Sequence, residues 1–359
     1  MSTLFDRRKT GSVYVGSVCI GGEHPVSIQS MTNTDTHDVD ATYDQVMRLC
    51  EAGADIVRIT APDLKSVGTF EALLARGVKV PLVADIHFNH EIAIAAAESG
   101  ASKIRINPGN IGDDGKVFKV VEACKAARVP IRIGVNSGSL EKHILEKYGA
   151  PTPEALAESA LYHASLLERF DFSDIVISVK ASTVADMIKA NRILAASTSY
   201  PLHLGVTEAG VGNSAIIKSS IGIGTLLSEG IGDTVRVSLT DDPVEEIYAA
   251  KEILKALGMS KTPGLDIVAC PTCGRTKIDL IKLLKEFKDR VREEGLDTLN
   301  IKVALMGCVV NGPGEAKEAD LGIAGGKGEG LLFRKGEIIR KVDEASLIDE
   351  LILEMRRFI

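Results

Sequence analysis

Apolar and polar positions follow two alternating periods from residue 26 to about residue 257. Short runs of β-branched residues that end in polar residues or glycine predict strands, and the longer amphipathic segments between them predict helices. The predicted strands are 26–31, 55–60, 81–87, 102–108, 131–136, 174–180, 202–208 and 234–240. The predicted helices lie near 41–52, 64–76, 90–99, 116–127, 152–169, 183–197, 213–228 and 243–257.

Eight consecutive strand–helix units favour an α/β fold, a (β/α)8 barrel of the TIM type. An open, doubly wound sheet is the alternative, but the GxGxxG fingerprint that such a sheet carries after its first strand is absent here. Residues 12–20 alternate like a β-hairpin ahead of the first barrel strand. We expect this hairpin to cover the amino-terminal end of the barrel.

A second, smaller unit follows the barrel. Glycine and proline within residues 258–266 indicate a linker after the eighth helix. The remaining chain predicts a strand, a helix over 276–294, a second strand, a glycine-rich strand pair over 320–342 and a terminal helix. We therefore predict a barrel domain over 1–257 and a small α+β domain over 267–359.

Composition and charge exclude several classes of protein. Among the 359 residues, 45% are hydrophobic and 25% are charged, which is the usage of ordinary globular proteins. The net charge of -7 does not suggest a nucleic-acid partner. The first ten residues lack the apolar core of a signal peptide, and no apolar run approaches the length of a membrane span. We expect a cytoplasmic protein without a membrane partner.

Three cysteines lie where predicted strands of the second unit end. Cys270 and Cys273 form a CxxC pair, and Cys308 follows the next strand. Thiolates at strand ends can converge on one iron–sulfur centre or zinc ion, and Glu315, seven residues beyond Cys308, is placed to supply an oxygen ligand. The spacing alone leaves a cluster, a zinc site and a redox disulfide open.

Other motifs carry weaker signals. Cys19, Cys50 and Cys124 have no candidate ligand close in sequence and are expected to be structural thiols. Residues 325–330 resemble a phosphate loop, but the strand-like sequence that follows favours a hairpin turn. The histidines lack metal-ligand spacing, and only His87 has a position at a strand end that suggests a role.

Charged side chains interrupt the apolar strands of the predicted barrel. Five cations lie on five different strands: Arg58, Arg105, Arg132, Lys180 and Arg236. Their polar companions on the strands are Asp85, His87, Asn136, Glu208 and Ser238. A charge inside a barrel strand is costly unless it is paired or used, and barrel enzymes assemble their sites at the carboxyl ends of the strands. Any single cation fits a structural ion pair, whereas the five together favour binding of a compact polyanion such as a diphosphate.

Six segments of the chain resemble one enzyme family. CPTCGRT, MGCVVNGPGEA, VSIQSMTNT, DIVRIT, ADIHF and IRINPGN are similar to motifs of the 4-hydroxy-3-methylbut-2-enyl diphosphate synthase family of the non-mevalonate isoprenoid pathway, in its shorter bacterial form. The resemblance covers essentially the whole chain. It implies a [4Fe-4S] cluster held by Cys270, Cys273, Cys308 and Glu315, and a barrel mouth that binds 2-C-methyl-D-erythritol 2,4-cyclodiphosphate through the five cations.

The same resemblance implies an iron–sulfur oxidoreductase that opens the substrate ring with two electrons and releases water. Flavodoxin or ferredoxin would deliver the electrons, and Glu208 is the candidate for handling protons near the C3 hydroxyl. The eighth helix of a barrel returns to the end opposite the site, and a nine-residue linker spans at most about 30 Å. We therefore expect a homodimer in which the second domain of one chain covers the barrel of its partner.

Two other classes of protein fit part of the pattern. A pterin-binding type of barrel synthase with a zinc-holding tail domain explains the barrel cations but leaves Glu315 with a scaffold role only. A non-catalytic iron–sulfur electron carrier explains the thiols but not the cations. Iron, sulfide and zinc analysis of protein purified without oxygen separates these possibilities.

Overall fold

The computed structural model of the chain describes residues 6–181, 183–207, 209–261, 264–309 and 317–359. The chain divides into two compact units, Met1–Ser260 and Lys261–Ile359. Within the described residues, no helix is both long enough and apolar enough to span a bilayer.

The first unit alternates strands and helices along most of its length. Its strands are β1 (Ser12–Val15), β2 (Val18–Gly21), β3 (Ser27–Met31), β4 (Ile56–Thr60), β5 (Leu82–Asp85), β6 (Lys103–Ile106), β7 (Ile131–Asn136), β8 (Ile175–Lys180), β9 (His203–Leu204) and β10 (Thr234–Val235). Its helices are α1 (Val39–Ala52), α2 (Leu64–Ala75), α3 (His90–Glu98), α4 (Pro108–Ile111), α5 (Asp114–Ala127), α6 (Lys142–Tyr148), α7 (Pro153–Arg169), α8 (Val184–Ser197), α9 (Gly212–Ser228) and α10 (Pro243–Ala256).

Strands β3 to β10 form a closed, parallel barrel. The sheet order runs β8-β7-β6-β5-β4-β3-β10-β9. A parallel bridge between Ile177 on β8 and Leu202, just before β9, joins the two ends of this sheet. The predicted barrel is therefore confirmed, and the open doubly wound alternative is wrong because the sheet closes on itself.

Strands β9 and β10 are shorter than predicted. Directly after β10 the backbone N–H of Arg236 still donates to the Leu204 carbonyl at 2.9 Å, and further along the N–H of Leu239 donates to the Glu246 carboxylate at 3.2 Å. Helices α4 and α6 were not expected, and both lie in loops that follow strands β6 and β7 at the carboxyl end of the barrel. Asn107 caps α4, whose first residue is a proline, so the turn after β6 is locally encoded.

The amino-terminal hairpin is present as the antiparallel pair β1 and β2. Its apolar face packs against side chains from the amino-terminal half of the barrel strands. This cluster contains Val13, Val15, Ile20, Ile56, Val83 and Val176. Because Ile56, Val83 and Val176 come from three barrel strands, the hairpin covers the barrel interior at the end opposite the strands' carboxyl termini.

Successive residues of a barrel strand point alternately toward the surrounding helices and into the barrel interior. On β4, Val57 and Ile59 pack into the apolar layer between strands and helices. Arg58, between them in sequence, therefore faces the barrel interior. On β6, Ile104 belongs to the apolar layer in the same way, so Lys103 and Arg105 face inward.

The second unit is a five-stranded sheet with helices. Its elements are β11 (Asp266–Ala269), α11 (Leu280–Glu293), β12 (Lys302–Met306), β13 (Leu321–Gly325), β14 (Glu329–Arg334), β15 (Glu337–Asp343) and α12 (Leu347–Met355). Strands β11, β12 and β13 are parallel, and β14 and β15 continue the sheet antiparallel. Phe287 and Val291 of α11 pack with Leu347 and Leu351 of α12 in the apolar cluster of this unit.

Two expectations for the second unit change in detail. The predicted strand pair over 320–342 is three strands, because the chain turns again at Lys335, in the left-handed region, and Gly336. The predicted helix begins at Leu280 rather than at residue 276, because Asp279 caps it. The predicted hairpin turn within 325–330 is confirmed, since β13 and β14 pair antiparallel around it.

Candidate functional site

A cavity of about 540 Å³ lies at the carboxyl ends of the barrel strands. This volume suits a small-molecule ligand. Its lining contains six residues predicted from the sequence: Arg58, Asp85, His87, Arg105, Asn136 and Lys180. The other lining residues, Ser137, Gly138, Ala181 and Thr207, were not predicted and come from the loops after strands β7, β8 and β9.

The Asp85 carboxylate lies between two guanidinium groups. Arg105 Nη1 donates to Asp85 Oδ1 at 3.0 Å, and Arg58 Nε lies 3.5 Å from Asp85 Oδ2. Burial opposes ionisation of Asp85, but the charges of Arg58 and Arg105 prevail and hold its pKa well below the usual range. Burial lowers the pKa of Arg58 to about 10, so it remains charged at neutral pH. One carboxylate thus serves two cations and leaves positive charge uncompensated.

Arg105 reaches its position because residue 134 on the neighbouring strand β7 is glycine. A Cβ at Gly134 would lie 2.5 Å from Arg105 Nε and 2.7 Å from its Nη2. Real side chains do not approach this closely, so the guanidinium occupies the space that a side chain on β7 would fill. The glycine is therefore part of the site although it carries no functional group.

Lys180 adds a third basic side chain to the cavity wall. It ends strand β8, and burial together with the charges of Arg58 and Arg236 lowers its pKa well below the ordinary value. Among the described lining residues, the acidic group is Asp85, against the three basic side chains of Arg58, Arg105 and Lys180. A polyanion would relieve the mutual repulsion of these cations.

Three predicted residues lie outside the cavity lining. Arg236 pairs with Glu246 of α10, with nitrogen–oxygen distances of 3.1 and 3.3 Å. Arg132 is completely buried, and its Nε and Nη1 have no hydrogen-bond partner among the described residues. Ser238 is half-buried beyond the end of β10. Glu208, the candidate for proton handling, lies outside the described residues.

Buried polar residues inside the barrel were missed by the sequence analysis. Lys103, His203 and Gln29 are each about 1% exposed or less, and each has a side-chain polar atom without a hydrogen-bond partner in the described chain. The alternation on β6 could have identified Lys103, because it lies two residues before Arg105 and so on the same face of the strand. His203 is a core residue of the barrel interior rather than a surface one.

The loop after β7 forms one wall of the cavity and is anchored at two points. Asn107 Nδ2 donates to Ser139 Oγ at 3.0 Å. Glu141 accepts a hydrogen bond from Ser159 Oγ at 2.6 Å, and its other oxygen contacts the imidazole of His163. Because these contacts join the loop to both the β6 loop and α7, the wall is held in place before any ligand arrives.

The cysteines of the second unit follow two neighbouring parallel strands. Cys270 comes directly after β11, and Cys308 lies two residues after β12. Ala269 and Leu305 are partners in the register of the two strands. The backbone N–H of Gly307 donates to the Sγ of Cys270 at 3.2 Å. Such a bond lowers the energy of a thiolate, the form in which cysteine binds metals.

Cys273 lies in a turn that packs against the end of β12. Thr272 adopts a left-handed conformation with φ of 56°, and the Cys273 N–H donates to Thr276 Oγ1 at 3.0 Å. A Cβ at Gly307 would lie 2.8 Å from Thr276 Cγ2. The turn can therefore approach β12 because residue 307 is glycine, and this approach brings the segment of Cys273 to the strand end that precedes Cys308.

The three thiols of the second unit are chemically suited to bind an iron–sulfur cluster. None of Cys270, Cys273 and Cys308 is in a disulfide, and thiolates are the ligands that such clusters use. Within the described residues, no group of three or more metal-binding side chains converges on one centre. The fourth predicted ligand, Glu315, lies outside the described residues together with most of the loop that follows Cys308.

A likeness to solved structures covers about two thirds of the chain. The dihydropteroate synthase of Stenotrophomonas maltophilia is 16% identical, with a TM-score of 0.51 over 69% of this chain and 98% of its own. At this identity the likeness extends to the fold and gives no support to the pterin-binding alternative.

Family models and relatives cover both units. Residues 10–251 match the GcpE TIM-barrel domain, and residues 266–357 match the GcpE protein C-terminal domain. A protein of Clostridium perfringens named 4-hydroxy-3-methylbut-2-en-1-yl diphosphate synthase (flavodoxin) is 60% identical over 97% of this chain and 98% of its own. A protein of the same name from Clostridium tetani is 54% identical over 98% of this chain and 99% of its own. The chain therefore belongs to the GcpE family of 4-hydroxy-3-methylbut-2-en-1-yl diphosphate synthases.

Proposed function

We propose that the chain converts 2-C-methyl-D-erythritol 2,4-cyclodiphosphate into (E)-4-hydroxy-3-methylbut-2-enyl diphosphate, as an iron–sulfur oxidoreductase. The observation that carries this proposal is the surplus of positive charge in the cavity, where Arg58, Arg105 and Lys180 face a single described carboxylate. A cyclic diphosphate supplies negative charge that these basic groups can bind. The names of the relatives cited above describe synthases whose product carries the same diphosphate group.

In this proposal the cations bind the diphosphate and stabilise the charge that grows on it during reaction. The bond between a diphosphate oxygen and the ring carbon breaks, and the negative charge left on that oxygen is offset by guanidinium groups already in place. Arg58, Arg105 and Lys180 contact the diphosphate from the cavity wall, with His87 and Asn136 as further polar contacts. Arg132, Arg236 and Ser238 are assigned to the same binding region behind this wall.

We assign the cluster to Cys270, Cys273, Cys308 and Glu315, as a [4Fe-4S] group. The support is the pair of parallel strand ends that present Cys270 and Cys308, and the Gly307 N–H that points at the Cys270 sulfur. When bound, a [4Fe-4S] group passes single electrons to a substrate. The thiolates would hold it, and the Gly307 N–H would stabilise the negative charge on the Cys270 sulfur.

The overall change balances with two electrons. Ring opening leaves the diphosphate on one end of the carbon chain, and the C3 hydroxyl departs as water after it gains a proton. We assign that proton to Glu208, which follows β9 by four residues in the sequence. Glu208→Gln is expected to abolish turnover, and normal turnover with an unchanged pH profile would remove Glu208 from this role.

The proposal includes partners for the enzyme. Flavodoxin or ferredoxin supplies one electron at a time, twice per turnover, and the names of the relatives include flavodoxin. We propose a homodimer in which the cluster domain, residues 267–359, serves the partner's barrel domain, residues 1–257, across the linker 258–266. We also propose that the protein works in the cytoplasm, without nucleic acid or membrane.

Iron, sulfide and zinc analysis of protein purified without oxygen tests the cluster assignment. The wild type is expected to be brown and to hold about four irons and four sulfides per chain. Cys273→Ser is expected to lose most of this iron. Cys50→Ser is the matched control, because Cys50 is a half-buried thiol of α1. Zinc without sulfide in the wild type would contradict the assignment and favour the zinc-holding alternative.

A further inference from the structure

Lys103 is a completely buried lysine inside the barrel. It begins strand β6 and faces the interior, because Ile104 packs into the apolar layer outside the barrel. Its side chain has 0% exposure, and its Nζ has no hydrogen-bond partner among the described residues. A buried ammonium group without a partner is strongly destabilising, so this lysine needs an explanation.

The charged groups that act on Lys103 are positive. Arg132 on β7 and Arg58 on β4 are its charged neighbours, and His203 on β9 is the titratable group that feels its charge. The nearby carboxylate of Asp85 on β5 is already shared by Arg58 and Arg105. Since a guanidinium stays charged in proteins, Arg58 and Arg132 keep their positive charges. Lys103 can relieve its repulsion with them by releasing its proton.

Burial and the charges of Arg132 and Arg58 lower the pKa of Lys103 well below its ordinary value. Burial likewise lowers the pKa of His203, and the charges of Arg132 and Lys103 add to this effect. Both shifts act in favour of the neutral form of each group while the cavity holds no anion. Negative charge entering the cavity acts in the opposite direction and raises both pKa values.

We propose that Lys103 is uncharged in the free protein and takes up a proton from solvent when a cyclic diphosphate enters the cavity, which makes it a further determinant of substrate binding. The proposal rests on the proposed function for the identity of the anion. No bond is made or broken: one proton moves from buffer to Nζ, and the resulting ammonium adds attraction for the diphosphate only in the complex. The free protein thereby avoids another unpaired buried charge.

Calorimetric titration tests this uptake. The holoenzyme, without reductant, is titrated with the cyclic diphosphate in buffers of different ionisation enthalpy between pH 6 and 9, which gives the protons bound per ligand. The wild type is expected to take up protons, and Lys103→Met to take up fewer, by as much as one. Equal uptake by the two proteins, or none by the wild type on binding, would overturn the proposal.

Two further variants identify the group. His203→Gln is expected to keep most of the uptake, since Lys103 is its main source. Lys180→Met removes a second lysine with a lowered pKa, which lines the cavity, and its loss of uptake is expected to add to that of Lys103→Met. If His203→Gln removes the uptake that we assign to Lys103, the assignment is wrong.

A measurement without substrate separates this proposal from the proposed function. Between the lowered pKa of Lys103 and about 10.4, the unfolded chain binds a proton that the folded chain does not, so stability rises with pH. Lys103→Met is expected to flatten this rise and to raise Tm most at low pH. An unchanged pH slope of stability would overturn the proposal even if the substrate is another anion. Absence of binding together with a flattened slope would contradict the proposed function alone.

Discussion

At the scale of single residues, the site depends on a missing side chain as well as on charges. Arg105 can reach Asp85 and the cavity because Gly134 leaves the adjoining position on β7 empty. The guanidinium is then fixed by its hydrogen bond to Asp85, so it is oriented before a ligand binds. Fixed donors stabilise developing charge without the cost of reorganising solvent.

Gly134→Ala is expected to displace the Arg105 guanidinium, because the new methyl group would overlap its Nε. Loss of one charge-assisted contact costs about 1.5–3 kcal/mol, so KM for the cyclic diphosphate is expected to rise at least tenfold. Gly68→Ala is the matched control, because a Cβ at this position of α2 meets nothing within 4 Å. Steady-state kinetics of the two variants measure the difference. Equal KM values would contradict the role of Gly134.

The sequence could identify the charged residues but not their partners. Arginine in an otherwise apolar strand indicates a site, and six of the predicted residues do line one cavity. Pairing of Arg236 with Glu246 of α10 could not be predicted, because it depends on which way the side chain leaves the end of β10. Lys103 was overlooked since its neighbours in sequence read as an ordinary strand.

At the scale of elements, the cysteine segments depend on two strand ends and one turn. Strands β11 and β12 are adjacent and parallel, so Cys270 and the segment that leads to Cys308 leave the sheet at the same edge. The turn from Cys273 to Lys277 closes on that edge, with the Lys277 N–H donating to the Gly307 carbonyl at 3.0 Å. Two segments far apart in sequence are thus joined by backbone hydrogen bonds.

Gly307→Ala is expected to push Thr276 and its turn away from β12, because the added Cβ would lie 2.8 Å from Thr276 Cγ2. Overpacking of this kind costs about 1–3 kcal/mol, and we expect a clear loss of bound iron after anaerobic reconstitution. Gly274→Ala in the same turn is the control, since its Cβ meets nothing within 4 Å. Iron analysis of the pair gives the test, and full iron content in Gly307→Ala would contradict this account of the turn.

Element positions follow from periodicity more reliably than element ends do. The eight helices expected around the barrel are present, because each carries a long amphipathic pattern that only a helix satisfies. Helices α4 and α6 were missed because they have only four and seven residues, too few to show an amphipathic pattern. Strand β15 was missed because the turn that separates it from β14 consists of two residues only, Lys335 and Gly336.

At the scale of the whole molecule, the two kinds of chemistry belong to different compact units. The anion cavity lies in Met1–Ser260, and the three cysteines lie in Lys261–Ile359. An enzyme that uses both must bring a cluster domain to a barrel mouth. The homodimer proposed above would do so between chains, as we expect for a short linker that follows the eighth helix of a barrel.

Mixing two inactive variants tests the shared site. Cys273→Ser keeps an intact barrel, and Arg58→Met keeps an intact cluster domain. If each site combines one chain's barrel with its partner's cluster domain, random subunit exchange restores roughly a quarter of wild-type activity, because half of the dimers hold one complete site. Activity is measured after exchange has been verified by mass spectrometry of differently labelled chains. No recovery would indicate that barrel and cluster domain of one chain work together.

The most direct test of the account is turnover of the cyclic diphosphate by reconstituted, oxygen-free protein with a chemical reductant. The reaction is followed by phosphorus NMR and mass spectrometry. We predict that the ring opens, that the linear allylic diphosphate accumulates, and that two electrons are consumed for each product molecule. A protein that binds the cyclic diphosphate and carries a complete cluster, yet leaves the ring intact under these conditions, would contradict the account.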